Sequence, residues 1–456
     1  MSTTSQLVDH LISTGFADLP AEAVEMAKQV CLDGIAVMIA GAREPLGVGR
    51  ISLDYTRDLG GTPEASVVCG GFKTSALNAA YANGTLCHAL DFDNTSVPVN
   101  HPTSAALPAI LAIAEREKLS GREVVTAIVL AFEVQGRMRL ATRAIGANSI
   151  FHKPGVSGLM GAVTGVGKLL QLDPPQFCYA LGTAGSRAGS ITVNTGTMTK
   201  SSHAGHGARM GVEAGLLAKR GWTAHPDVFG TGRFFETFYC ERPHEPELFL
   251  TNFGSPWYML DPGVGFKKYP SNYFTHRAID AALELRAKHG LKPGNIERVE
   301  IDFPDFLHVA RMPKTGLDGK FSVQYCTALA LLDGKVGVES FSDARRFAGD
   351  VEALLARTQV NLLAEIPKDI DTTYTIVRVH RTDGSVVQGR CDVPRGFPGV
   401  PLSRDERVSK FHDCVVGALE PAASERLLAD VERLEALGDI ASIMQIVCSA
   451  RATTSA

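Results

Sequence analysis

GTLCHALDFDNTSVPVNHP, residues 84–102, has two readings that lead to different folds. Asp91 to Thr95 (DFDNT) matches the D-x-D-[GN]-T form of aspartyl-phosphate phosphatases, whose first aspartate ends a buried parallel strand. The seven residues before it, 84–90, are poor in β-branched side chains and read as helix. The helical reading makes 87–102 a polar loop. It holds His88, Asp91, Asp93, Asn94, Thr95 and His101, ends in His-Pro, and lies between apolar stretches of small residues. Such a segment must find partners or water. We read it as a loop that enters a cleft and carries chemistry; the alternative is a solvated connection between helices.

Outward from that loop the chain is helical. Residues 7–14 read as a short helix. Pro20 sits near the next start, and Val24, Ala27, Cys31, Ile35 and Met38 recur at helical spacing. This helix turns apolar nearly all round after Cys31, which predicts a buried end. Residues 66–69 (SVVC) make no more than an edge piece. Residues 74–88 form a small-residue helix that runs into the loop. Helices follow over 104–117 and 121–141, the second ending in FEVQGRMRLATR, with Glu133, Gln135, Arg137 and Arg139 in an apolar surround. A second polar loop, 148–154 (NSIFHKP), precedes helices over 155–170 and 175–189. A third, 190–206 (SITVNTGTMTKSSHAGH), feeds a helix from about Ala204 to Arg220.

The composition changes near Trp257. FKKYPSNYFTH (266–276) precedes a helix over 278–289, RVEIDF (298–303) alternates like a strand, and 321–332 is a helix. YTIVRVHRTDGSVVQGRCDV (374–393) is a hairpin about Asp383-Gly384. Helices return over 405–419 and 422–437. The expected architecture is mainly α: a large all-helical domain from residues 1–262 plus 400–456, and a smaller α+β lid domain from 263–399.

The 456 residues are 45% hydrophobic and 21% charged, which suits a soluble globular chain with a sizeable core. A net charge of −4 leaves no basic footprint for nucleic acid. Nine scattered cysteines with no C-x-x-C argue against a zinc ribbon or a locally spaced iron–sulfur site. Their odd number and an N-terminus without a signal pattern predict reduced thiols and a cytoplasmic location. The most apolar run, 35–42, is far too short for a bilayer, so no membrane partner is expected.

Gly165-Val166-Gly167-Lys168 lacks the spacing and Ser/Thr of a phosphate loop, and no glycine pair follows a convincing strand as a dinucleotide site requires. The third loop carries more. Lys200, Ser201 and Ser202 stand just before a helix start, where free N–H groups and a lysine together suit a carboxylate or phosphate. An ordinary serine cap beside a surface lysine is the plainer alternative. Lys267 and Lys268, before Tyr269-Pro270, could grip an anion. His152 is either an acid/base near neutral pH or a hydrogen-bonded structural histidine. Together these loops describe a site for a small polycarboxylate. Cations hold the carboxylates, and a His or Lys moves a proton beside one of them, where developing enolate charge needs fixed positive partners. No metal-ligand spacing is visible, so side chains would supply that charge.

HALDFDNT…NHPTSAALPAILA, FEVQGR, FHKPGVSG, TGTMTKSSHAGHGARMGVEAGLLA, FKKYP…THRAIDA, FSVQYCTALALLDG and DVPRGFPGVPLSRDERVSKF, in this order over nearly the whole chain, resemble the MmgE/PrpD family. That family includes 2-methylcitrate dehydratase, cis-aconitate decarboxylase and iminodisuccinate epimerase activities. The resemblance implies a helical domain built from both chain ends, an α+β lid, a homodimer, and a cofactor-free site between the domains that needs no metal. It implies pocket residues at Asp91, Thr95, His101, His152, Lys200, Lys267 and Tyr325. Tyr325, on an apolar helix, would otherwise read as core.

One position departs from the pattern. Cis-aconitate decarboxylases carry a histidine two residues after the proline of the FK…P segment, and here that position is Asn272, whose amide delivers no proton. The expectation is therefore a hydro-lyase on a methylcitrate- or citrate-type acid. Lys200, Lys267 and His152 would hold carboxylates, with Ser202 and Asn272 as further substrate contacts. His101 would be the acid/base, oriented by Asp91. Tyr325 or Thr95 would meet the departing hydroxyl. Decarboxylation of cis-aconitate and epimerisation of an acidic substrate use the same groups; a non-catalytic binding protein on this fold is the contrasting class.

Overall fold

The computed structural model describes residues 1–142, 150–239, 246–305 and 309–452. Asn148 and Ser149 of the second polar loop, Arg143 and Cys240 lie outside the described residues. The chain is mainly α, with small sheets, and divides into two compact units. One holds residues 1–89, 93–264 and 403–456; the other holds 90–92 and 265–402. The three residues Leu90–Phe92 thus leave the first unit in the middle of the polar loop, where no composition change marks a boundary. No helix among the described residues is long and apolar enough to cross a membrane. The eight described cysteines are free thiols.

In the first unit the helices Ala76–His88, Pro102–Glu117, Gly121–Ala141, Ser157–Leu169 and Met198–Lys219 pack on one another, with Ala21–Gly41 against the first of them. Every residue from Val30 to Ala42 is buried, as an all-round apolar helix end requires. Arg404–Val415 returns from the far end of the chain to pack on Ala21–Gly41. Local signals set the starts: Ser75 accepts from the Asn78 N–H, and Ser120 with Glu123 forms a capping box.

Glycine lets two of these helices touch backbone to backbone. A Cβ on Gly205 would stand 2.2 Å from Thr85 Oγ1 and 2.4 Å from the Tyr81 carbonyl oxygen; one on Gly84 would stand 2.9 Å from Gly205 Cα. Gly205→Ala must therefore push the Met198–Lys219 and Ala76–His88 helices apart. The expected cost is about 1–3 kcal/mol, read as a lower melting temperature. An unchanged melting temperature would show that the helices separate without penalty.

Four elements differ from expectation. The helix of the third loop begins at Met198, not near Ala204, because Ser201 and Ser202 do not cap it: Ser202 Oγ donates to the Thr199 carbonyl and Ser201 Oγ lies 3.5 Å from the His88 carbonyl. Helices Val48–Leu59 and Ala441–Ser449 are additional to those that periodicity predicts. So is the strand Thr358–Leu363.

The second unit is a four-stranded sheet in the order Thr358–Leu363, Ile296–Pro304, Thr375–Arg381, Val386–Cys391. The first pair is parallel and the others antiparallel, and the last pair is the expected hairpin. Helix His276–His289 packs on the hairpin strands, and Val323–Asp333 packs on that helix.

Candidate active site

The polar loop of the first unit is held from below by the polar face of Gly121–Ala141. Gln135 Nε2 donates to the Pro102 carbonyl and its Oε1 accepts from Asn100; Arg139 Nε donates to the Val99 carbonyl. Ser157 Oγ donates to Asn100 Oδ1, and Thr95 Oγ1 donates to the Asn100 carbonyl. Glu133 accepts from Arg137 and from the backbone N–H groups of Gly254 and Tyr258. These buried polar groups of the FEVQGRMR segment are therefore scaffold, each satisfied by the backbone it fixes.

That scaffold brings five charged or imidazole side chains around Asp93. His88, the last residue of Ala76–His88, places Nδ1 2.9 Å from Asp93 Oδ1. His101, the residue before Pro102–Glu117, places Nδ1 3.2 Å from Asp93 Oδ2. Lys200 Nζ lies 2.9 Å from His88 Nε2. His152 Nδ1 lies 3.1 Å from His203 Nδ1, and the His152 ring centroid is 5.2 Å from His88 and 5.9 Å from His101. His88, Asp93, His152, Lys200 and His203 are all buried. His152 Nε2 has no hydrogen-bond partner among the described residues, and neither amide atom of the fully buried Asn94 has one.

Burial pushes Asp93 up, but the imidazoles of His88 and His101 outweigh it and hold the carboxyl well below its usual range. Burial, then the Lys200 ammonium and His101, overcome the pull of Asp93 and lower His88 to about 4. Burial and Lys200 lower His203 to about 4 and push His152 well below its ordinary value. Near neutral pH His88, His152 and His203 are therefore held in the neutral form beside the Asp93 carboxylate.

The ligand atoms of His88, His101 and His152 lie within 4.8 Å of one another, a grouping from two chain segments that no sequence spacing displays. Both nitrogens of His88 already face partners, Asp93 and Lys200, so a metal ion would contend with the ammonium for the Nε2 lone pair.

His101, His152 and Lys200 thus come together as expected sites, and Thr95 serves the loop. A carboxylate beside His101 in the first unit is Asp93, a residue to which the sequence reading gave no role. Asp91 takes left-handed backbone (φ 50°) and belongs to the second unit, where Lys267 Nζ donates to its carbonyl at 2.6 Å and lies 3.2 Å from its Oδ1. Also in the second unit, the Tyr325 hydroxyl donates to the Ser340 carbonyl at 2.6 Å, and Asn272 Oδ1 accepts from the Phe274 N–H, capping a short turn. The groups missed by the sequence reading are His88, Asp93 and His203. Once the helix start is put at Met198, His203 falls one turn after Lys200 on the same face, and that spacing is the signal that would have found it.

Models of the MmgE/PrpD N-terminal domain and the MmgE/PrpD C-terminal domain match residues 5–246 and 269–436. The chain is 31% identical to cis-aconitate decarboxylase of Mus musculus over 93% of its own length and 89% of the relative's. It is 31% identical to the Homo sapiens cis-aconitate decarboxylase over 79% and 77% of the two chains, and 26% identical to that of Aspergillus terreus over 97% and 95%.

Proposed function

The chain belongs to the MmgE/PrpD family, and from that premise we propose that it is a carbon–carbon lyase of the cis-aconitate decarboxylase type, acting on a small unsaturated tricarboxylate. The observation that carries the reading is the buried group in which Asp93 faces two imidazoles, the first of which faces Lys200.

The chemistry asks for what that group offers. In decarboxylation of cis-aconitate, the bond to the departing carboxylate breaks and its electron pair becomes a new C=C bond. The original alkene pair takes a proton at the carbon beside another carboxylate. A trianion and one proton give CO2 and an unsaturated dicarboxylate. The site must therefore neutralise carboxylates and deliver one proton to carbon. Lys200 supplies the fixed cation. His101 delivers the proton, with Asp93 holding its ring through Nδ1. His152 offers a second imidazole with an unused Nε2.

Asn272 favours a second reading, a hydro-lyase of the 2-methylcitrate dehydratase type, since no imidazole stands there. Proton NMR in D2O separates the two. Incubation with cis-aconitate is expected to give itaconate carrying one solvent deuterium, with release of CO2. Conversion of 2-methylcitrate to an alkene, without itaconate from cis-aconitate, would overturn the decarboxylase and establish the second reading. A homodimer and a cytoplasmic location belong to the same reading; light scattering and cell fractionation check them.

A further inference from the structure

His88 has no task in the chemistry above, yet both nitrogens of its ring face partners. Its Nδ1 is 2.9 Å from Asp93 Oδ1 and its Nε2 is 2.9 Å from Lys200 Nζ. Titratable groups that face it include Asp93 and His101 on its own loop, His152 on the turn before Ser157–Leu169, and Lys200 on Met198–Lys219.

A neutral imidazole has one N–H and one lone pair. The carboxylate of Asp93 can only accept, so the proton of His88 sits on Nδ1. The lone pair is then on Nε2, and the Lys200 ammonium is the donor to it. The order of roles along the chain is fixed: carboxylate, imidazole, ammonium. We propose that His88 is a positioning residue for Lys200, and that Asp93 acts on the lysine through the tautomer it imposes on His88. Burial beside Lys200 and His101 keeps His88 neutral, as an acceptor at Nε2 must be. An imidazolium there would turn an N–H against the ammonium and release it. The carboxylate–histidine pairs that orient metal ions work in the same way, with a cation in the place of the ammonium.

The inference rests on the reading that Lys200 serves the substrate, so its test has one arm that needs no substrate. In the 15N spectrum of histidine-labelled protein, with the His88 signals identified by their loss in H88Q, the wild type is expected to show the Nδ1–H tautomer. D93N, whose amide N–H can donate to Nδ1, is expected to shift His88 to the Nε2–H form. A wild-type Nε2–H tautomer overturns the proposal whatever the substrate. The second arm is turnover of cis-aconitate. His88→Leu, which keeps bulk but has no acceptor, is expected to lower kcat/KM by about 10–100-fold. D93N, which also loosens the hold on His101, is expected to fall at least as far. H88Q puts an amide oxygen where Nε2 stands and is expected to recover to within about tenfold of wild type. H88Q as poor as H88L, with both folded by circular dichroism, would overturn the positioning role, because a structural role for bulk alone does not distinguish them in that order. If the tautomers behave as stated and no tricarboxylate is consumed, the reading of the function fails and the positioning of Lys200 stands.

Discussion

Replacing His101 by alanine is expected to lower turnover by about two to four orders of magnitude, the usual worth of a positioned acid or base, while the melting temperature stays within a few degrees of wild type. The side chain is 13% exposed, the least buried of the Asp93 group, and it precedes Pro102–Glu117 without capping it through the ring. Its removal leaves Asp93 still paired with His88 at 2.9 Å, so no carboxylate is orphaned in the interior. Activity and stability should therefore part company at this position. Steady-state rates and thermal melts on one preparation test both halves. Near-wild-type turnover would remove His101 from the chemistry, and a collapse of the melt would make it structural.

Acid should begin to destabilise this protein above the pH at which carboxylates titrate. His88 is lowered to about 4 in the folded chain, whereas an unfolded histidine titrates near 6.5. Between those values the unfolded chain binds more protons, so stability is fully present above pH ~6.5 and is lost as pH falls through the window toward 4. From pH 7.5 to pH 5, His88 alone accounts for a loss of about 2 kcal/mol, since each pH unit below 6.5 costs about 1.36 kcal/mol. His152 and His203 are lowered as well and act in the same direction. Asp93, held well below its usual range, adds its loss only at still lower pH. The urea midpoint is expected to fall steeply between pH 7.5 and pH 5. Equal midpoints would mean that these histidines are already protonated in the folded state.

Much of this is open to a reader of the sequence. The helices, the hairpin about Asp383-Gly384, and the membership of His101, His152 and Lys200 in one site follow from periodicity, turn residues and resemblance. The rest is hidden for physical reasons. Val48–Leu59 buries Val48, Gly49, Ser52, Leu53 and Thr56 and leaves Ile51, Tyr55 and Leu59 exposed, so its larger apolar residues do not mark the buried face. The strand Thr358–Leu363 has no fully buried residue, so its alternation is blurred. Asp91 and Asp93 are two residues apart in one loop, and nothing in their spacing shows that Asp93 faces both His88 and His101. A serine pair that looks like a helix cap delays the predicted start of Met198–Lys219 and takes His203 off the face it shares with Lys200.

The glycines at 84 and 205 bear on that same corner. They lie within a turn or two of His88 and Lys200, on the two helices that carry those residues, and the backbones meet there with no side chain between them. Helices spaced by interlocking side chains can slide a little as rotamers change; helices seated backbone on backbone have no such slack. The 2.9 Å between His88 and Lys200 is therefore a machined tolerance of the scaffold, set before any substrate arrives.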